Sequence, residues 1–211
     1  MRFSLNEVEG TAKRAARGAG YSWGMAEEAA KATRFLCAHG LDGCGLLAGL
    51  LDRVEGSDLR GFTPRSIAGE WAAASKQLCP VSAGSALSDH AALLPTGKIA
   101  MRGVLFPALV LPFAAAVARH LETPVAVEWD GARILLDGSD MELSGDAAAP
   151  ITNRLSIARG GAIEAPVARS SRAAPDARDW AVLNRFAHRT YAPATEASRL
   201  LGAGTALSDN D

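Results

Sequence analysis

The chain has 211 residues, of which 48% are hydrophobic and 21% are charged. This apolar content predicts a folded globular protein and excludes an intrinsically disordered chain. The 22 basic and 23 acidic residues nearly cancel to a net charge of -1. Because nucleic-acid binding requires a broad positive surface, we expect no nucleic-acid partner.

The amino-terminal residues and the cysteines favour a cytoplasmic location. Charges at Arg2 and Glu7 interrupt the apolar core that a secretory signal peptide would need. Three cysteines cannot all pair within one chain, which favours a reducing compartment. The longest apolar run, residues 103–118, contains two prolines and is shorter than the roughly 20 residues of a membrane-spanning helix. We therefore expect no membrane-spanning segment.

Three helices are predicted in a helical unit that covers residues 1–54. Ser4 and Glu7 have the spacing of a capping box, in which each side chain accepts a backbone N–H bond from the other residue. Ser22 is a candidate N-cap for the second helix. Glycines follow the first two helices, as expected for left-handed C-caps. The predicted helices are residues 4–17, 23–38 and 43–53.

The middle of the chain, residues 81–159, predicts a mostly antiparallel sheet with one embedded helix. Asp130-Gly131 lies between two apolar runs and is a strong hairpin signal. A weak helix over residues 66–77 precedes this region. The predicted strands are residues 81–94, 98–106, 125–129, 133–136, 141–143 and 153–158, and the embedded helix is 108–121.

The last part of the chain, residues 176–211, predicts C-terminal helices and a tail. One helix covers residues 176–189, and a short one begins at Thr195. Residues 160–176 before them predict a loop or arm. Because helices come first, then strands, then helices, we expect an α+β fold in a single domain over residues 1–211.

Arginine pairs spaced one helical turn apart are the first candidate binding residues. Arg185 and Arg189 share a face of the predicted helix 176–189, and arginine holds carboxylate or phosphate groups through two parallel hydrogen bonds. His188 and Tyr191 lie beside them as candidate proton donors. The next predicted helix adds one cation and one candidate acid or base, Arg199 and Glu196.

A second candidate set lies near the amino terminus. Arg14 and Arg17 are also about one turn apart, and Trp23 nearby could stack on a planar group or on a guanidinium. Glu27 is a candidate acid or base. The same residues would serve equally well in a helix–helix joint or a dimer contact.

The leading hypothesis is a cytoplasmic protein that binds or transforms a small anionic metabolite through an arginine-lined site. Its ligand-binding residues would come from both arginine sets, and its catalytic candidates are His188, Glu27 and Glu196. The alternative is a non-catalytic subunit or protein-interaction module, self-associating or bound to another protein, with residues 154–178 as an arm. The sequence leaves open whether the chain is an enzyme.

The cysteines offer a further, weaker possibility. Cys37, His39 and Cys44 could supply soft ligands to zinc, with Cys79 or His90 as the fourth. The spacing matches no established zinc motif, and a free cysteine is often a small core residue. We therefore assign neither a metal nor an organic cofactor.

The segments Arg14–Gly20 and Trp23–Ala29 resemble the start of a bacterial family catalogued as domain of unknown function 3726. Residues 112–116, 129–131 and 193–199 and the closing residues to Asp211 are also similar to it. The resemblance implies one domain over nearly the whole chain. It implies no activity, cofactor or catalytic residue.

Overall fold

The computed structural model describes residues 1–191. Its helices are α1 (Leu5–Gly18), α2 (Trp23–Ala38), α3 (Gly43–Val54), α4 (Pro80–Asp89), α5 (Leu111–Leu121) and α6 (Ala177–His188). Its strands are β1 (Phe3–Ser4), β2 (Glu70–Trp71), β3 (Ile99–Leu105), β4 (Val125–Trp129), β5 (Ala132–Leu136), β6 (Met141–Gly145), β7 (Ile151–Arg159) and β8 (Arg172–Ala173). The short helix predicted from Thr195, with Glu196 and Arg199, lies outside the described residues.

One mixed sheet forms the centre of the protein, with strand order β2-β3-β7-β4-β5-β6. Within this sheet β2 and β3 run parallel, and every other neighbouring pair is antiparallel. The predicted hairpin is confirmed, because Trp129 pairs with Ala132 across the Asp130-Gly131 turn. A separate two-residue ladder joins β1 to β8. The α+β class with a mostly antiparallel sheet is therefore confirmed.

The core continues from the helices into the sheet. Along β4 the side chains of Val125, Val127 and Trp129 are buried, while Glu128 between them is exposed. This alternation places successive side chains on opposite faces of the strand. Helix α5 packs against β4 and β5, and also against α2 and α4. Across residues 1–191, none of the helices has both the length and the hydropathy to cross a lipid bilayer.

Helix starts follow the predicted capping chemistry. The Ser4 N–H donates to Glu7 Oε2 at 2.7 Å, and the Glu7 N–H donates to Ser4 Oγ at 3.2 Å, which completes the capping box. Ser22 Oγ accepts from the Met25 N–H at the start of α2. Asp42 caps α3 in the same way, with the Gly45 N–H 2.9 Å from Oδ1. Local sequence therefore sets where these helices begin.

Two sequence predictions are wrong. Residues 81–94 form helix α4 and a short 3-10 turn rather than a strand. Pro80 occupies the first helical position, where its fixed φ and missing N–H are well tolerated, and Val81, Ala83 and Leu87 are buried at helical spacing. Residues 66–77 contain strand β2 and not a helix, because Trp71 pairs in parallel with Met101. The region 81–159 thus contains two helices where one was expected.

Residues 160–171 form an extended strap over the protein. The Val167 N–H donates to the Met141 carbonyl at 2.8 Å, and the Glu142 carboxylate accepts from the N–H groups of residues 164 and 165. Further along, the Ser170 N–H donates to the Ala38 carbonyl at 2.7 Å. The strap therefore connects the β6 edge of the sheet to the end of α2, and β8 continues it to β1.

Candidate functional site

The predicted arginine pair at the end of α6 faces carboxylates at the end of α3. Arg185 contacts both Asp52 and Glu55, with its Nη1 3.2 Å from Glu55 Oε2, and Arg189 forms a second ion pair with Glu55. Arg189 and Arg185 hold the pKa of Glu55 below its usual value. These ion pairs join α3 to α6, so an external anion would compete with two protein carboxylates.

The two other α6 candidates are solvent-facing. His188 and Tyr191 pack edge to face with their ring centroids 5.2 Å apart, and both residues are exposed. Neither side chain lines any of the cavities described below. Glu196 and Arg199, the remaining predicted members of this set, lie outside the described residues.

The amino-terminal candidates surround the turn between α1 and α2. The Arg17 guanidinium donates to the Tyr21 carbonyl and lies 4.5 Å from the centre of the Trp23 ring. Trp23 is 65% exposed. Glu27 forms an exposed ion pair with Lys13, which lowers the pKa of its carboxyl group. Arg14 is exposed on α1.

The amino-terminal candidate residues and the α6 candidate residues are neighbours where α1 packs against α6. A Cβ atom at Gly18 would overlap the backbone carbonyl of Phe186 and lie 3.3 Å from the Arg189 Cβ. The missing side chain therefore allows the ends of these helices to approach closely. Arg17 and Trp23 lie on the α2 side of this contact, whereas Arg185 and Arg189 are held toward α3.

A pocket that the sequence did not predict lies between the start of α2 and the start of α4. It has a volume of about 210 Å³. We call it the Tyr21–Cys79 pocket, because the Tyr21 hydroxyl and the Cys79 Sγ lie 3.3 Å apart within it. Both side chains are buried. Its lining residues are Gly20, Tyr21, Ser22, Met25, Leu59, Arg60, Thr63, Cys79 and Ser82.

The electrostatics of this pocket favour negative charge. Ser22 is the N-cap of the 16-residue helix α2, and Cys79 is the N-cap of the 10-residue helix α4. Each helix start carries partial positive charge on N–H groups that have no partner within the helix. The Cys79 side chain makes no capping hydrogen bond. Arg60 is the only cation among the described lining residues, and none of them is a carboxylate. Asp58, outside the lining, is paired with Arg60, so the two helix starts are the main source of positive potential.

Burial also affects the tyrosine of this pocket. It raises the pKa of Tyr21 well above its usual value, and the neighbouring Cys79 thiol adds to the shift. The phenol therefore stays protonated and uncharged at neutral pH. The Ser82 hydroxyl donates to the Cys79 carbonyl. The pocket is therefore left with the Ser22 hydroxyl and one hydrogen of the Tyr21–Cys79 pair as neutral donors, beside an apolar wall formed by Met25 and Leu59.

A second cavity, of about 370 Å³, has the opposite character. Asp42, Asp146 and Asp179 line it. A Cβ atom at Gly45 would lie 2.9 Å from Asp179 Oδ2 and would overlap the Asp42 carboxylate, so both carboxylates lie over this glycine. Burial, and then the charges of Asp42 and Asp176, raise the pKa of Asp179. Such a cavity repels anions.

The residues considered as possible zinc ligands do not come together as one set. Cys37 Sγ and Cys44 Sγ lie 3.9 Å apart, whereas Cys79 contacts Tyr21. His39 is buried, with Nδ1 2.8 Å from the Phe35 carbonyl oxygen. Within residues 1–191, His, Cys, Asp and Glu form no group of three or more that could hold a metal ion.

Comparison with known proteins shows that part of the chain resembles a protein family. Residues 3–79 match the model of a family described as "Protein of unknown function (DUF3726)". The chain resembles this family over that range, which includes the Arg14–Gly20 and Trp23–Ala29 segments. The expected similarities at residues 112–116, 129–131 and 193–199 lie outside the match. No curated protein matches the chain.

Most of the Tyr21–Cys79 pocket is formed by residues that match the family model. Every lining residue of the Tyr21–Cys79 pocket except Ser82 lies within residues 3–79. In the sequence, Cys79 is a candidate only for the fourth ligand of a zinc site, and Tyr21 is not assigned to a site. One signal could have revealed the pocket, namely Cys79-Pro80, because proline at the first helical position marks Cys79 as an N-cap.

Proposed function

We propose that the chain binds a small anionic metabolite in the Tyr21–Cys79 pocket. The observation that carries this proposal is the meeting of two helix starts at a pocket whose described lining includes Arg60 and no carboxylate. Backbone N–H groups at helix starts are common anion-binding groups, and the helix dipoles add to their attraction. The proposal keeps the ligand class expected from the sequence and moves its main contacts away from the α6 arginines.

The size and lining of the pocket narrow the ligand. About 210 Å³ is below the roughly 300–1,000 Å³ of pockets for drug-sized ligands, which favours a compound of few atoms. Met25 and Leu59 suit a short apolar portion, while the hydroxyl and thiol groups suit a carboxylate or phosphate. Arg60 lies at the surface, where it is paired with Asp58, so a ligand anion would exchange with that carboxylate.

Arg17 and Trp23 have a supporting role in this proposal. The Arg17 guanidinium holds the carbonyl of Tyr21 and lies over the Trp23 ring. It therefore fixes the turn that carries the phenol and the start of α2. Arg17→Ala should weaken anion binding by loosening this turn, and Arg17→Lys should restore part of it, because lysine can still donate to the carbonyl.

A thermal-shift comparison tests the proposal. The probes are inorganic phosphate, acetate, pyruvate and benzoate, each compared with sodium chloride at equal ionic strength. A ligand at 100 times its dissociation constant adds about 2.7 kcal/mol, or roughly 5–10 °C in Tm for a chain of this size. We expect at least one probe to raise Tm, and Arg60→Ala to reduce that shift.

Two arginine variants make the comparison specific. Arg65→Ala is the matched control, because Arg65 is exposed nearby and does not line the pocket. Arg185→Ala tests the site predicted from the sequence. If Arg185→Ala abolished the anion-induced rise in Tm and Arg60→Ala left it unchanged, the anion would bind at the α6 arginines and not in the pocket. The absence of a shift with every probe would contradict anion binding in the pocket.

The alternative function, a non-catalytic interaction module, is favoured by one feature. Trp23 is 65% exposed beside Arg17 and Lys13, and exposed aromatic and arginine side chains are enriched where proteins contact one another. Light scattering over a range of protein concentrations tests self-association. If Trp23 forms such a contact, the measured mass will exceed that of one chain and will fall in Trp23→Ala.

A further inference from the structure

The thiols of Cys37 and Cys44 form a close pair that the proposed function does not use. Cys37 lies in the last turn of α2 and Cys44 in the first turn of α3, and their sulfur atoms are 3.9 Å apart. Both side chains are buried as free thiols. A disulfide would require the sulfur atoms to approach from this distance to roughly 2.05 Å.

Gly43 allows this approach. A Cβ atom at this position would lie 2.5 Å from the Thr33 carbonyl oxygen and 3.1 Å from Cys37 Sγ. Because glycine has no such atom, the start of α3 packs directly against the end of α2. The positive end of the α3 dipole therefore lies beside the Cys37 sulfur.

The environment makes the two thiols unequal. Hydrogen bonding from Cys44, followed by the N–H groups of Gly43 and Cys44, lowers the pKa of Cys37, while burial and the Asp42 carboxylate act in the opposite direction. Hydrogen bonding to Cys37, burial and the nearby charges raise the pKa of Cys44. A lowered pKa beside a helix start is the environment of a nucleophilic cysteine.

A cavity of about 340 Å³ adjoins the pair. Both cysteines line it, together with Gly40, Leu41, Asp42, Ser170 and residues 172–175. The far wall is thus the end of the strap and the β8 segment. A small reagent that enters this cavity meets the thiols directly.

We propose that Cys37 and Cys44 are a redox-active dithiol that small disulfides oxidise to an intramolecular disulfide. The Cys37 thiolate attacks one sulfur of the small disulfide, forms a mixed disulfide and releases one thiolate. Cys44 then loses its proton and attacks the Cys37 sulfur, which displaces the second thiolate. Two protein thiols are oxidised, one small disulfide is reduced, and the two protons end on the two released thiols.

Equilibration with glutathione disulfide and glutathione at graded ratios tests this proposal. After acid quenching and alkylation, the number of reactive thiols per chain is measured by mass spectrometry. We expect it to fall from three to one in a single step, with Cys79 remaining alkylated. Trypsin does not cut between the two cysteines, because residues 35–53 contain neither lysine nor arginine before Arg53. Residues 35–53 therefore form one tryptic peptide with both cysteines, and its mass should fall by two hydrogen atoms when the disulfide forms.

Single variants test the order of the two attacks. Cys44→Ser and Cys44→Ala should accumulate a glutathione adduct on Cys37, and the alanine variant preserves an apolar side chain if serine destabilises α3. Cys37→Ser should leave Cys44 reduced. Cys79→Ser is the matched control and should keep the full two-thiol step.

Three outcomes would overturn the proposal. The wild-type protein could retain three reactive thiols at every ratio while circular dichroism shows it folded. The disulfide could form only in urea, which would make it a property of the unfolded chain. The adduct could accumulate on Cys44 in Cys37→Ser and be missing from Cys37 in the Cys44 variants, which would reject the assigned order.

Discussion

The Tyr21 hydroxyl lies 3.3 Å from the Cys79 Sγ, and this buried contact connects the start of α2 to the start of α4 across 58 residues of sequence. Tyr21→Phe removes the hydroxyl and keeps the ring. We expect the free energy of unfolding in urea to fall by about 1 kcal/mol, the usual net contribution of one hydrogen bond. The thermal shift caused by anions should also decrease, because the pocket loses a hydroxyl group.

Tyr191→Phe is the matched control, since Tyr191 is exposed at the end of the described chain. Its unfolding free energy and its anion-induced thermal shift should both equal those of the wild type. Equal effects of the two substitutions on anion binding would contradict the assignment of Tyr21 to the binding pocket.

Gly18 and Gly24 lie on either side of the α1–α2 turn. We expect alanine substitution at these two positions to change the free energy of unfolding in opposite directions. At Gly18 a methyl group would overlap the Phe186 carbonyl, so α1 and α6 must separate. We expect Gly18→Ala to lower the free energy of unfolding by about 1–3 kcal/mol, as overpacking usually does. At Gly24, within α2, no heavy atom apart from its chain neighbours and the nearby backbone of its own helix lies within 4 Å of the added Cβ.

Gly24→Ala should therefore stabilise the protein by about 0.4–1 kcal/mol, because alanine restricts the unfolded chain and favours the helix. Urea unfolding of both variants measures the contrast. If Gly18→Ala were as stable as Gly24→Ala, the close packing of α1 on α6 would be wrong.

Asp179→Asn should stabilise the protein at neutral pH. Burial, and then Asp42 and Asp176, raise the pKa of Asp179 above its ordinary value of 3.8. The folded state therefore binds this proton more tightly than the unfolded state. Proton binding by Asp179 therefore contributes to the free energy of unfolding. This contribution is complete below pH 3.8 and is lost as the pH rises through the raised pKa of the folded state.

Thermal unfolding of wild type and Asp179→Asn over a pH series measures this effect. We expect a gain below about 1 kcal/mol at neutral pH, because the side chain is only partly shielded from solvent. The gain should disappear in acid. Asp130→Asn, in the exposed β4–β5 turn, is the comparison substitution and should leave Tm at neutral pH unchanged.

Glu142 should control the attachment of the strap. The N–H groups of Ala165 and Glu164 lower the pKa of the Glu142 carboxyl below its ordinary value of 4.5. The ionised group therefore stabilises the attached strap above pH 4.5 and loses this effect as the pH falls through the lower folded pKa. Glu142→Ala should give faster tryptic cleavage after Arg169, and in the wild type the protection factor of the Glu164 amide against hydrogen exchange should fall in acid.

Glu128→Ala provides the comparison for the strap experiment, because Glu128 is paired with Arg133 on the exposed side of β4. Its cleavage after Arg169 should proceed at the wild-type rate. Unchanged cleavage in Glu142→Ala would show that Val167 and Ser170 hold the strap without the carboxylate.

Local features of the sequence were sufficient for most of the helices and strands. The capping box of Ser4 and Glu7 and the Asp130-Gly131 turn depend on neighbouring residues, and both predictions are confirmed. The prediction of a strand over residues 81–94 is wrong, because a short run of small and apolar residues fits either period. Pro80 and the burial of Val81 and Leu87 decide in favour of a helix.

The candidate sites were less predictable, because their geometry depends on contacts between distant segments. The helical period correctly places Arg185 and Arg189 on one face, but their partners Asp52 and Glu55 lie at the end of α3, far away in the sequence. Likewise, nothing near Tyr21 in the sequence indicates Cys79. The assignments of His188, Glu27 and Arg14 to a site stay predictions, as do the single domain and the cytoplasmic location.

The strap has a consequence for solubility during folding. An open strand edge offers unpaired backbone groups to other chains and promotes aggregation. Residues 164–167 occupy the outer side of β6 around Met141 and Glu142, and the opposite edge of the sheet is β2, which has two residues. A chain truncated before residue 160 would present β6 uncovered, and it should form intermolecular β-structure at concentrations where the full chain stays dispersed.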